Sequence, residues 1–154
     1  MVISEIPGSI KQFRRTAWKF QKTFRTPLKN LRPFVGTILS VCEPLRSSRV
    51  MFEQIVFQPK HLTELGAKYS ISVSLRKDTS IDATNKEESE ALLLAALSDW
   101  VDFAFVPDPK PFVIYADHDE YTTFFANTKS NLNRALTPLT EQGFRAVTDY
   151  TRHF

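Results

Sequence analysis

The stretch from Ala91 to Ala126 constrains the fold most. ALLLAAL (91–97) is apolar on every side of a helix, so it belongs in the middle of a layered structure, lying across a sheet. Asn85 is placed to cap that helix, with Glu87 and Glu88 in a first turn that favours acids. VDFAFV (101–106) follows, with Val101, Phe103 and Phe105 alternating against Asp102, Ala104 and Val106. FVIYA (112–116) comes after the proline-rich PDPKP, which predicts a hairpin, and YTTFFA (121–126) is a further strand. A helix over about 128–142 carries Leu132, Leu136 and Leu139, with Pro138 as a kink or restart and Gly143 as its cap.

Upstream, VMFEQIVFQ (50–58) and YSISVSLRK (69–77) read as strands, the second with Ile71, Val73 and Leu75 alternating against serines. KHLTELGAK between them reads as a short helical turn closed by Gly66, and DTSIDATN (78–85) as a loop. FVGTILSVC (34–42) fits either a strand or a buried helix. FRAVTDYTRHF is expected to close the chain as a strand. Singly interspersed helices and clustered strands define an α+β class, a mostly antiparallel sheet with helices packed on one face. The length of 154 residues suits one domain, with a basic helical segment over 1–33 and an α+β body over 34–154.

The basic segment is read as an amphipathic N-terminal helix over 9–26. Ser9 and Gln12 fit a capping box, and Ile10, Phe13, Ala17, Phe20 and Phe24 form an apolar stripe at spacings of three and four. Arg14, Arg15, Lys19, Lys22 and Arg25 then share the other side, with Trp18 among them at about 100° per residue. Pro27 ends the element, because a residue before proline avoids helical angles.

Charge supports an interaction role. Residues 1–50 hold ten Lys/Arg against two acids, and residues 51–154 hold ten against fifteen. Such asymmetry predicts a basic segment that meets a partner, or meets the acidic body within the fold. Arg14, Arg15, Trp18, Lys19, Lys22 and Arg25 are the candidate surface, with a protein partner or homo-oligomer favoured. Nucleic acid through 14–25 is the alternative, since cations neutralise phosphates and Trp18 could stack on a base. Membrane binding is disfavoured because the apolar stripe is narrow. Asp117-His118-Asp119-Glu120 and Asp149 form a second, acidic patch.

Chemistry is poorly represented. Asp117, His118 and Asp119 could serve a metal-dependent hydrolase, yet consecutive residues project in different directions and suit a polar turn. Four glycines leave little room for a phosphate loop, no GxSxG elbow occurs, and the single Cys42 sits among apolar neighbours. The inventory leans away from an enzyme, and no cofactor is expected. With no secretory leader or spanning run, a cytoplasmic protein or a subunit of an assembly such as a virion is expected.

Overall fold

A computed structural model describes residues 1–154. In chain order the elements are β1 (Val2–Glu5), α1 (Ser9–Arg15), β2 (Phe20–Arg25), α2 (Leu31–Val41), β3 (Ser47–Ile55), α3 (Lys60–Lys68), β4 (Thr79–Ala83), α4 (Lys86–Ser98), β5 (Val101–Asp108), β6 (Val113–Ala116), β7 (Tyr121–Ala126) and α5 (Lys129–Glu141). A 3₁₀ turn, Leu28–Asn30, leads into α2. The strands form one seven-stranded sheet in the order β1-β4-β3-β5-β6-β7-β2, antiparallel at every pairing. The α+β class, the antiparallel sheet and the β5-β6-β7 meander at its heart are therefore as the alternation of residues 101–126 dictates.

Period-two alternation sorts the side chains. Phe103 and Phe105 of β5, Ile114 of β6 and Phe124 of β7 enter the main core beneath α2, α3, α4 and α5. Ala104, Val113, Tyr115 and Phe125 turn to the other face, where Ile10 and Phe13 of α1 cover them in a second, smaller core. Four helices thus share one face, and α1 lies alone on the opposite one. Helix α4 is central: Leu92, Leu93, Ala96 and Leu97 are buried, and Asn85 Oδ1 caps it by accepting from Glu88 N at 2.9 Å.

Several expectations are corrected. The helix over 9–26 is a short helix, a loop and a strand: α1 ends at Arg15 and Thr16 is extended. Helical spacing of Phe20 and Phe24 coincides with strand spacing, and pairing with β7 along its whole length decides between them. Phe24 enters the main core, and on the other face the Thr23 hydroxyl meets that of Thr123 at 2.7 Å. The Ser9/Gln12 capping box does not form; Gly8 occupies the cap position, and the cap comes from a distant residue. Asp78 accepts from Gly8 N at 3.0 Å, Ile10 N at 3.2 Å and Ser9 Oγ at 3.3 Å.

Residues 71–76 form no strand, although Ile71, Val73 and Leu75 are less exposed than the serines between them. The place beside β3 belongs to β4, within the stretch read as a loop; Thr79, Ser80, Ile81 and Ala83 are buried there. Residues 71–73 instead press on Gly66, inside α3 rather than at its end, where an added Cβ would stand 2.2 Å from Val73 Cγ2. The stretch 34–42 resolves as the helix α2. Residues 144–154 are not a strand either: apart from one bridge, Phe24 with Ala146, they wrap the β2 edge and cross onto the α1 face.

Candidate functional site

Of the candidate residues, only Lys22 is separated from the rest. Arg14 lies on α1 and makes an ion pair with Glu53 at 3.0 Å, while Arg25 approaches Glu120 at 3.8 Å and the ring of Tyr121 at 5.8 Å. Lys22 shares its side of β2 with the core residue Phe24, facing the helical layer, whereas Arg14 and Trp18 are on the α1 side. Arg15 and Lys19 are exposed on the end of α1 and the following loop. Trp18 is half-buried against Phe13 and Phe125, with both ring centroids 6.1 Å away. Its Nε1 is buried without a hydrogen-bond partner within the fold. Lys22 alone among these cations is turned to the helical layer; Arg25 shares the Thr23 side of β2, the side on which α1 lies.

The charge asymmetry is met in part inside the fold. Arg14, Arg25, Arg46 and Arg49 of the basic half pair with Glu53, Glu120, Asp108 and Asp82 of the acidic body. The same holds at 117–120. Asp117 Oδ1 accepts from the backbone of Asp119 and Tyr121, shaping the β6-β7 turn, and its Oδ2 meets Arg152. His118 is held through Nδ1, 2.7 Å from the nearly buried Asp102, whose carboxylate also accepts from His118 N. No group of three or more His, Cys, Asp or Glu side chains is arranged to hold a metal ion.

Electrostatics on this face follow from those pairings. The hydrogen bond to Asp102 holds the His118 imidazole above its ordinary range; burial opposes it, and the charges of Asp102, Asp119 and Asp117 assist. Tyr115 is raised by burial first, then by its hydroxyl's 2.5 Å hydrogen bond to Glu53 and by the charges of Glu53 and Asp102. Glu53 sits where the β3-β5 register slips between Phe52 and Gln54, so a bulge aims its carboxylate at Tyr115 and Arg14. This network is internally satisfied and covered by Phe154, 5.0 Å from the Tyr115 ring. Burial likewise pushes the Cys42 thiol up to about 12, an inert group in the main core.

The unsatisfied surface lies elsewhere, at the end of the sheet where β3 finishes and β5 begins. Phe57 is 54% exposed, Trp100 41% and Val56 41%, and the two rings meet edge to face at 6.0 Å. Trp100 has φ +50, a left-handed conformation that a bulky side chain rarely adopts. Its neighbours pin it there. Asp99, nearly buried, accepts from His61 N at 3.0 Å, His61 Nδ1 at 2.6 Å and Leu62 N at 2.8 Å, which caps α3. Asp102, two residues after Trp100, holds His118.

From this end a trough of about 920 Å³ runs over α4 between α2 and α3, lined by Leu31, Leu65, Ala91, Leu94, Lys29 and Glu90 among others. Sequence reading missed both features. The trough is made by three helices distant in the chain. A Trp directly before a strand carries no signal of its exposure; its only flag is the positive φ. No helix is long and apolar enough to cross a membrane. No family model, curated protein or solved structure matches the chain. The fold and this surface define its class: an α+β antiparallel-sheet domain with an exposed Phe57–Trp100 pair at one end of the sheet.

Proposed function

We propose that this protein is a non-enzymatic protein-binding module that engages its partner through the Val56, Phe57 and Trp100 end of the sheet. The carrying observation is Trp100 itself. Folding gives this side chain only a partial return: it packs edge to face on Phe57, yet its backbone stands at φ +50 and 41% of it stays in water. Most other aromatic rings are buried; Phe20 and Phe154 are exposed too, but only Phe57 and Trp100 stand together as an exposed pair. Exposed Trp and Phe against a polar surround are the residues that dominate protein-protein affinity.

The reading agrees with the charge-led expectation of a partner protein but moves the surface from Trp18 to Trp100. It is tested with Trp100→Asn, because Asn tolerates positive φ without adding chain entropy. The variant is expected to keep or raise the melting temperature while losing association with the partner recovered by the unsubstituted chain. Undiminished association would refute it.

A further inference from the structure

We infer that the cavity between α1 and the sheet takes a small apolar acid, a carboxylate on a short hydrocarbon body. The site is distinct from the protein-binding surface: it lies on the α1 side, and neither Phe57 nor Trp100 lines it. Ser9, Gln12, Phe13 and Thr16 recur at spacings of three and four, so one face of α1 and its cap forms a wall. Met51 of β3, Val106 of β5 and Val113 of β6 form the floor. Trp18, packed on Phe125 of β7, stands at the end away from β3. The space left open is about 250 Å³, the volume of about eight waters.

The polar lining decides the class of ligand. No carboxylate faces this cavity. Its hydroxyls are spent, Ser9 Oγ on Asp78 at 3.3 Å and Thr16 Oγ1 on the Gln12 carbonyl at 3.1 Å. Arg49 gives Nε and Nη2 to Asp82 at 2.6 and 2.9 Å, which leaves Nη1. Lys110 and the Gln12 amide are exposed and bond to nothing within the fold. Trp18 Nε1 is buried with no partner, a state that costs free energy until an acceptor arrives. Apart from the Gln12 amide oxygen, the unspent groups are donors, and two of them are cationic.

An acid answers that inventory. A carboxylate offers acceptors only, and it brings the charge that Lys110 lacks within the fold. An amine would set donors against donors and meet Lys110 with like charge. A bare inorganic anion would leave Phe13, Met51, Val106 and Val113 facing water, so the ligand needs a hydrocarbon body to lie on them. Gln12, Arg49 and Lys110 also line an adjoining opening of about 620 Å³. The acids there, Asp82 and Asp108, are already paired with Arg49 and Arg46, so an anion entering that way meets no unpaired carboxylate.

The test uses the whole chain and three probes of one length: octanoate, octanol and octylamine. Binding is followed by calorimetry, and by Trp18 fluorescence in the Trp100→Asn chain, where Trp18 is the sole tryptophan. Octanoate is expected to saturate, to shift the Trp18 emission and to bind about tenfold tighter than octanol, with no binding of octylamine. Lys110→Glu, at an exposed position, should weaken octanoate about tenfold with the melting temperature unchanged. Trp18→Phe keeps a ring in place, deletes the N–H and should weaken it about threefold. Failure of octanoate to bind, octanol or octylamine binding as tightly, or octanoate binding that neither substitution weakens would overturn the assignment. None of these results bears on docking at Trp100.

Discussion

The buried carboxylate of Asp99 holds His61 twice, by its backbone N–H at 3.0 Å and by its ring Nδ1 at 2.6 Å, and so anchors the first turn of α3 to the last residue before Trp100. Leu62 N completes the set at 2.8 Å. Asp99→Ala would leave these donors without an acceptor in a water-poor place. A loss of about 2–3 kcal/mol is expected in urea unfolding. A loss below about 0.5 kcal/mol would mean that water substitutes for the carboxylate.

Gly66 reverses a common rule. Replacing a helical glycine with alanine ordinarily stabilises by about 1 kcal/mol. Here the new Cβ would meet Val73 Cγ2 at 2.2 Å and Ile71 O at 2.9 Å. Gly66→Ala is therefore expected to destabilise by about 1–3 kcal/mol, read as a lower urea midpoint with an unchanged slope.

That contact also explains part of what the sequence hides. Ile71, Val73 and Leu75 alternate as a strand would, and the alternation is physically real, since those residues face inward. They face a helix, however, with no strand beside them. In β4 the reverse occurs: Thr79, Ser80 and Asp82 look loop-like, yet β1 and β3 flank them on both sides. In β2 a coincidence of spacing favoured a helix. The stretches read correctly, β5, β6, β7, α4 and α5, carry their signal in strong local patterns and caps. The trough was illegible because α2, α3 and α4 meet only in space, and Lys22 parts from the other cations of 14–25 because β2 is a strand.

Asp78 caps α1 from a distance of many residues in the chain. Burial raises its carboxyl, but hydrogen bonds from Gly8 N, Ile10 N and Ser9 Oγ, with Lys77 nearby, hold it below the usual carboxylate range. A depressed folded value means that its stabilisation is complete above the unfolded value of about 3.9 and is lost as pH falls through the folded one. Asp78→Asn, which keeps the φ +66 backbone comfortable, should cost about 1 kcal/mol at neutral pH. The gap from the unsubstituted chain should close in acid, as thermal melts across pH would reveal.

His118 has the opposite sign. Its folded value is raised, so the Asp102 pairing contributes fully below the unfolded value of about 6.5 and fades as pH climbs through the folded one. Urea midpoints of the unsubstituted chain should therefore drop relative to those of His118→Asn as pH rises above about 6.5. Parallel curves would show that the imidazole gains nothing from Asp102.

Trp18 and Trp100 are expected to separate by role. Trp18→Ala removes a ring packed on Phe13 and Phe125 and should cost about 2 kcal/mol of stability. Trp100→Asn should cost none. Similar losses from both would place Trp100 among the packing residues.

The claim that the Trp100 end docks a protein is tested most directly by photocrosslinking in the cells that make this chain. A photoreactive residue at Phe57 is compared with one at Lys11, exposed on α1 on the opposite face. The prediction is a discrete crosslinked protein at position 57, absent at position 11 and lost when Trp100→Asn is added. Equal, diffuse labelling at the two positions, or a position 57 product that survives Trp100→Asn, would contradict it.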